Sequence, residues 1–361
     1  MDLYVIGLAV HPPKPRIEDK RLEEVVFDVT RAALDDAGLE QGEVGQVTIA
    51  GCDELDGRSI SSMLLAMPSG AYLKDETKCT DAGLMAFCLA AMRAEAGFGD
   101  PSLVVSWNKN STAPFDNVMS MRADPFFVRP IGMNSVVADG LFATAQLTQG
   151  VTEDEAADWV VHYQTRAARN PRGLSLAISS AAEIAGSPCL ATPLRRGHCA
   201  SLSDGAAAIV LASGRWLASR PNVRPLARVA GLGWRTDQYQ LGGRRLADMA
   251  AFRGAFRDAL ARAGRDMIAI DAVELDSQTG FHAAAYARAL EGLPADRIAP
   301  SGGPFAQNPY FCTGLVHAAE ATLQVSAKAG RTQIQGARLA AAHSAHGFAQ
   351  QGHVTVLLES C

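Results

Sequence analysis

Short apolar runs alternate with amphipathic stretches along most of this chain, the pattern of an α/β protein. Residues 3–10 read as a strand. Over residues 22–37 the apolar positions Val25, Val26, Val29, Ala33 and Leu34 recur at helical spacing, and Gly38 supplies the stop. Residues 47–51 predict a buried strand, 83–96 an alanine-rich helix and 103–107 another strand. The order then recurs. A strand is expected at 227–232, a helix at 252–263 stopped by Gly264, and a strand at 272–275. A helix at 313–329, stopped by Gly330, precedes strands at 337–342 and 354–358. Ala33-Leu34-Asp35-Asp36-Ala37-Gly38 echoes Ala259-Leu260-Ala261-Arg262-Ala263-Gly264, and both Gly83-Leu84 and Gly314-Leu315 open alanine-rich helices. Four elements matched in one order predict an internal duplication.

Residues 110–197 interrupt the repeat. They contain the loop-like end of Asn108-Lys109-Asn110-Ser111, an aromatic stretch Asp124-Pro125-Phe126-Phe127 that reads as extended, and a helix start at Thr152-Glu153-Asp154-Glu155 with a capping-box arrangement. The first half is expected to finish with a strand at 206–212. The expected organisation is a first half of residues 1–109 and 198–216, an insertion at 110–197 covering the active site, and a second half at 224–361.

Composition narrows the function classes. The hydrophobic fraction of 48% and charged fraction of 20% fit a globular protein of 361 residues that builds its core without disulfide staples. A net charge of -5 and the lack of a basic stripe argue against nucleic acid as a partner. No run of eighteen or more apolar residues and no signal-like N-terminus is present, so a cytoplasmic protein off the membrane is expected. The seven cysteines form no C-x-x-C pair. His343 and His346 are the one pair of metal-ligand type, and no carboxylate or cysteine at a matching spacing joins them, so no metal site is expected.

Ser203-Asp204-Gly205-Ala206-Ala207-Ala208 resembles the S-D-G-A-A-A segment of thiolases, above all the sterol-carrier-protein type. Ser301-Gly302-Gly303 resembles the S-G-G of their N-P-S-G-G motif, and Asn308-Pro309 through Thr313-Gly314 keeps the spacing of G-H-P-x-G-x-T-G. Gly150-Val151-Thr152 and the helix after it resemble the family's insertion domain. The resemblance runs in order over nearly the whole chain. It implies a five-layered α-β-α-β-α fold of two similar halves with an insertion in the first, and a homodimer. It also implies coenzyme A thioesters as substrate with no cofactor bound; no separate nucleotide fingerprint is present.

The same resemblance carries site expectations. The family's nucleophilic cysteine opens the first central helix, where the helix dipole and free N–H groups favour a thiolate. Cys79 is the candidate, although Gly83 follows it by four residues and an ungapped match would put Thr80 there; Asp81 opposes a thiolate. Asn308 stands in place of the G-H-P histidine, able to hold an oxyanion and unable to take a proton. His346 takes the place of the C-terminal base. Asp276 falls where the family has Asn or His and could orient an imidazolium; Asp276 or Ser277 could instead cap a helix from 283 to 290. His282 faces either the site or solvent. Ser301, Gly302, Gly303 and Tyr310 are the substrate-binding candidates, and His317 is expected to pack within the second central helix. Three functions follow. The first is acyl transfer through Cys79, by thiolysis or Claisen condensation. The second is retro-aldol cleavage of β-hydroxyacyl-CoA with a small OB-fold and zinc-ribbon partner, and the third a non-catalytic subunit.

Overall fold

The computed structural model describes residues 1–361. The chain opens with β1 (Leu3–Val10), α1 (Leu22–Ala37), β2 (Gln46–Gly51), the single-turn α2 (Ser62–Leu65), β3 (Asp75–Thr80), α3 (Gly83–Glu95) and β4 (Ser102–Lys109). A mainly helical stretch follows: α4 (Phe115–Arg122), α5 (Ser135–Thr148), α6 (Glu153–Ala167), α7 (Ala181–Gly186) and a hairpin of β5 (Cys189–Ala191) and β6 (Leu194–Arg195). The chain returns to the sheet with β7 (Asp204–Ser213), then α8 (Gly214–Ala218), β8 (Ala227–Thr236), α9 (Gly243–Asp248) and α10 (Ala250–Ala263). It ends with β9 (Ala272–Glu274), α11 (Gly280–Ala289), α12 (Thr313–Val325), β10 (Leu339–His346) and β11 (Gly352–Glu359).

The sheet order is β3-β2-β4-β7-β1-β8-β11-β10-β9. In the first part β2 runs parallel to β3 and β4, while β7 is antiparallel to β4 and β1. In the second part β9 is parallel to β10, and β11 is antiparallel to β10 and β8. A parallel bridge from Val273 to Ile298 takes the place beside β9 that β3 has beside β2. The strand order therefore repeats. The two sets of strands meet where Tyr4 pairs with Arg228 and Val5 with Ala227, so they form one continuous ladder rather than two separate sheets.

The helices α3 and α12 share one core with strands of both halves, including Val5, Leu211, Val229, Val354 and Leu358. α1 covers the outer face of β1, β2, β4 and β7, and α10 covers the outer face of the second set. That order gives five layers, the α-β-α-β-α arrangement. The close approach of the central pair depends on two glycines. A Cβ on Gly83 would press on Leu315, and one on Gly314 would press on Leu84 and Ser344. Deleting both side chains lets the helix starts meet across the molecule's pseudo-twofold.

Three local expectations need correcting. The second central helix, expected to run to 329 and stop at Gly330, ends at Val325, and the chain turns at Ala327 (φ 58°) before reaching that glycine. Asp124-Pro125-Phe126-Phe127 is a turn, because the Asp124 carboxylate accepts the backbone N–H groups of Phe126 (3.0 Å) and Phe127 (2.7 Å) and folds the chain back. At α6, Thr152 accepts the Glu155 N–H (3.1 Å), but the Glu155 carboxylate does not return to close a capping box. It pairs with Arg288 of α11 (2.8 Å) and so ties α6 to α11.

Candidate active site

The turn after β10, the loop after β9, the start of α5 and the segment before α12 converge on one polar cleft. Its lining includes Ser135, Asp139, Asp276, Gln278, Tyr310, His346 and Gln350. The void at its centre is about 10 Å³, room for about one water molecule.

Asp276 ends the run that begins with β9 and is buried. Its Oδ2 accepts the Ala345 N–H (3.0 Å), with Ser344 Oγ at 3.4 Å, and its Oδ1 accepts from Gln278 Nε2 (2.6 Å). Burial raises its carboxyl to about 6 despite these donors. Asp276 is not a helix cap: Thr279 caps α11, accepting the His282 N–H at 3.2 Å. His282 is buried rather than turned to solvent.

His346 is the last residue of β10 and pairs across the hairpin with Gly352, where a Cβ would collide with the imidazole. Its Nδ1 has no protein partner, and burial lowers its pKa, so the ring is a neutral base facing the cleft. The connecting turn is strained, with Ala349 and Gln350 both left-handed (φ 45° and 52°), and Arg245 holds it by the carbonyls of Phe348 and Ala349. Tyr310 forms the opposite wall, edge-on to Phe115 with ring centroids 4.8 Å apart. Burial raises its phenol well above the usual range, so it stays a neutral donor.

Other expected site residues lie elsewhere. Asn308 is fully buried behind the lining. Its amide interlocks with that of Gln278 (Nδ2 to Oε1, 2.7 Å), and its Oδ1 accepts the Thr313 hydroxyl (3.0 Å). It orients the glutamine that in turn holds Asp276. Ser301 spends its hydroxyl and its N–H on Glu274 (2.7 and 3.0 Å). Gly302 (φ 88°) packs against Ala167, and Gly303 lies against Tyr163. These three residues shape a buried turn and do not line the cleft. The Ser203–Asp204 motif is likewise a junction: Ser203 Oγ accepts the Asn308 N–H (2.9 Å), and Asp204 accepts the Ile17 and Ser111 N–H groups (2.8 and 2.9 Å).

Cys79 sits within β3, four residues before α3 begins, outside the cleft lining and packed against the central core. Burial, and then Asp81, push its thiol up to about 11. Thr80 is exposed at the end of β3. The turn that leads into α3 holds Asp81 in the left-handed region (φ 70°), with its carboxylate on Arg122. His317 lies within α12 and bonds the His343 carbonyl (2.9 Å). His343 and His346, three apart on β10, point to opposite faces, and no cluster of three or more His, Cys, Asp or Glu side chains is placed to hold a metal.

Ser135, Asp139 and Gln278 were not among the residues the sequence singled out. One signal was there: Asp139 is the sole charged residue of the otherwise apolar and neutral α5.

No family model matches the chain. Its sequence is 24% identical to an acetyl-CoA acetyltransferase of Methanothermobacter thermautotrophicus over 96% of each protein. In structure it resembles the Ltp2–ChsH2(DUF35) aldolase (TM-score 0.83, 16% identity) and human mitochondrial 3-ketoacyl-CoA thiolase (TM-score 0.82, 14% identity), each covering 99% of this chain and 98% of the other. The thiolase has also been solved in complex with CoA, with a TM-score of 0.81 to this chain. The fold is that of the thiolase superfamily.

Proposed function

From this thiolase fold we propose that the protein is a thiolase-like acyltransferase acting on acyl-CoA thioesters, by thiolysis or Claisen condensation. The observation that carries the reading is likeness over the full length: a related sequence that is an acetyl-CoA acetyltransferase, on a fold shared with a 3-ketoacyl-CoA thiolase. CoA enters as the thioester of the substrate. His346 is the neutral base of the cleft, Asp276 the fixed negative charge beside it, and Tyr310 the neutral donor toward a thioester oxygen. Cys79 is the sole candidate acyl carrier from the sequence, and it works only if substrate binding brings its sulfur into the cleft as a thiolate. The protein acts as a homodimer in the cytoplasm.

One observation favours a second reading, retro-aldol cleavage of a β-hydroxyacyl thioester. The cleft presents Asp276, Asp139, His346 and Tyr310 but no thiol. Breaking a Cα–Cβ bond needs a base and an oxyanion donor, whereas thiolysis needs a thiolate carrier. The likeness to the Ltp2–ChsH2(DUF35) aldolase supports this reading, and with the reading goes the small OB-fold and zinc-ribbon partner that the sequence resemblance implies.

Acyl-CoA and β-hydroxyacyl-CoA substrates separate the two. An acyl adduct on Cys79, seen by peptide mapping and lost together with turnover in Cys79→Ser, is the outcome of acyl transfer. Cleavage that persists in Cys79→Ser without any adduct rejects it in favour of the lyase. His346→Ala is expected to lower turnover about 100-fold or more if acyl transfer is the reaction; an undiminished rate would remove His346 from that mechanism.

A further inference from the structure

The insertion brings to the cleft a carboxylate that the duplicated halves do not supply. Asp139 of α5 lines the cleft together with Asp276, Tyr310 and His346. Behind it lies the His282 imidazole, fully buried and clamped between Phe142 and Tyr286, with ring centroids 4.4 and 5.9 Å away. The Thr279 oxygen already accepts the His282 backbone N–H (3.2 Å), so its own proton is free to point at Nδ1, 2.9 Å away. In the tautomer in which Thr279 donates to Nδ1, the ring proton sits on Nε2. This N–H has no hydrogen-bond partner, and the Asp139 carboxylate lies in front of it at 3.8 Å. A small rotation of Asp139 closes that bond.

The two carboxylates of the cleft are held differently. Asp276 takes hydrogen bonds from Ala345 and Gln278, while Asp139 has only the pending one from His282. The better hydrogen-bonded Asp276 ionises first, and its charge makes Asp139 the harder of the two to ionise.

We propose that Asp139, aimed by the His282 imidazole, is the acid–base residue that moves the substrate proton in this cleft. The proposal rests on the carbon–carbon cleavage reading. The Asp139 carboxylate takes the proton of the β-hydroxyl, and the O–H electron pair becomes the second bond of a carbonyl. The Cα–Cβ bond breaks, and its pair moves onto the thioester as an enolate. The proton held by Asp139 returns to the α-carbon, giving an aldehyde or ketone and a shortened acyl thioester. No other reactant is needed.

The titratable groups facing Asp139 are Asp276 from the loop after β9, His282 and Tyr286 from α11, His346 from β10, Tyr310 before α12, and Cys199 before β7. Burial, and then Asp276, raise Asp139 to about 7. The basic form therefore grows as pH rises through that value, and the rate rises with it.

The test is Asp139→Asn, Asp139→Glu and His282→Gln in the full chain, with β-hydroxyacyl-CoA as substrate. Asp139→Asn is expected to lower kcat about 100-fold or more with little change in KM, and to abolish the rise in rate near pH 7. Asp139→Glu is expected to recover part of the rate, and His282→Gln to move the rise to higher pH. Full kcat with an unaltered pH profile in Asp139→Asn overturns the proposal. An infrared titration of the carboxyl band needs no turnover. Asp139→Asn should remove one carboxyl that ionises near neutral pH, and an unchanged band overturns the assignment even in an inactive protein. Wild type that leaves β-hydroxyacyl-CoA intact, while the band does change, rejects the cleavage reading and keeps Asp139 as the proton-holding group.

Discussion

At the scale of single residues, Gly352 governs the geometry of His346. The two face each other across the β10–β11 ladder, and only a missing side chain lets the imidazole lie over the partner strand. Gly352→Ala is expected to push the ring aside, destabilise the fold by about 1–3 kcal/mol in urea unfolding, and lower turnover as His346→Ala does. A stability and rate equal to wild type would mean that the ring has another place to go. His346 was legible in the sequence because it could be counted back from a family motif. Asp139 was not, since a lone acid on an apolar helix acquires meaning only when the fold sets it opposite Asp276 and His282. Asn308 was noticed as a substitution, yet its amide is spent on Gln278, a partner thirty positions away that spacing could not identify.

Among the elements, the sheet strands and the long helices were the readable part. Helical periodicity marks α1, α10, α3 and α12, with glycine stops at α1 and α10, and burial on both faces makes the strands continuous apolar runs. What failed was local capture of the backbone by polar side chains, as at Asp124. Aromatic content suggested an extended segment there, and a single carboxylate turned it. α6 shows the converse: its N-cap was visible, while the Glu155 carboxylate went to Arg288 on another element. Thr152→Ala is expected to cost about 1 kcal/mol of stability with an unchanged denaturant slope. A loss near zero would indicate that the packing of α6 on α11, where a Cβ on Gly280 would strike the Ala156 carbonyl, fixes the helix start unaided.

For the whole molecule, buried titratable groups of both kinds shape the response to pH. Burial raises Asp56, Asp81 and Asp276 to about 6, Asp139 to about 7 and Glu274 to about 8. Each binds its proton more tightly when folded, so its contribution to stability is full below the ordinary carboxylate range and is lost as pH climbs through those values. Burial lowers His282 and His353 to about 3 and His317 to about 4, so their contribution is full above the ordinary imidazole value and is lost as pH falls toward 4 and 3. Between these windows the two slopes oppose each other. Chemical denaturation across pH 2.5 to 9 is expected to give a broad plateau on the acid side of neutrality, falling toward pH 8 and again below about 4. A steady rise in stability up to pH 9 would contradict it. The clasp of Gly83 on Leu315 and Gly314 on Leu84 has a consequence for biosynthesis. The inner surface of α3 finds its cover about 230 positions later in the chain. At ribosomal speeds of about 5–20 residues per second, α3 waits on the order of ten to fifty seconds for α12. During that interval the nascent first half carries an apolar helix whose partner has yet to be made, the kind of transiently exposed surface on which chaperones act.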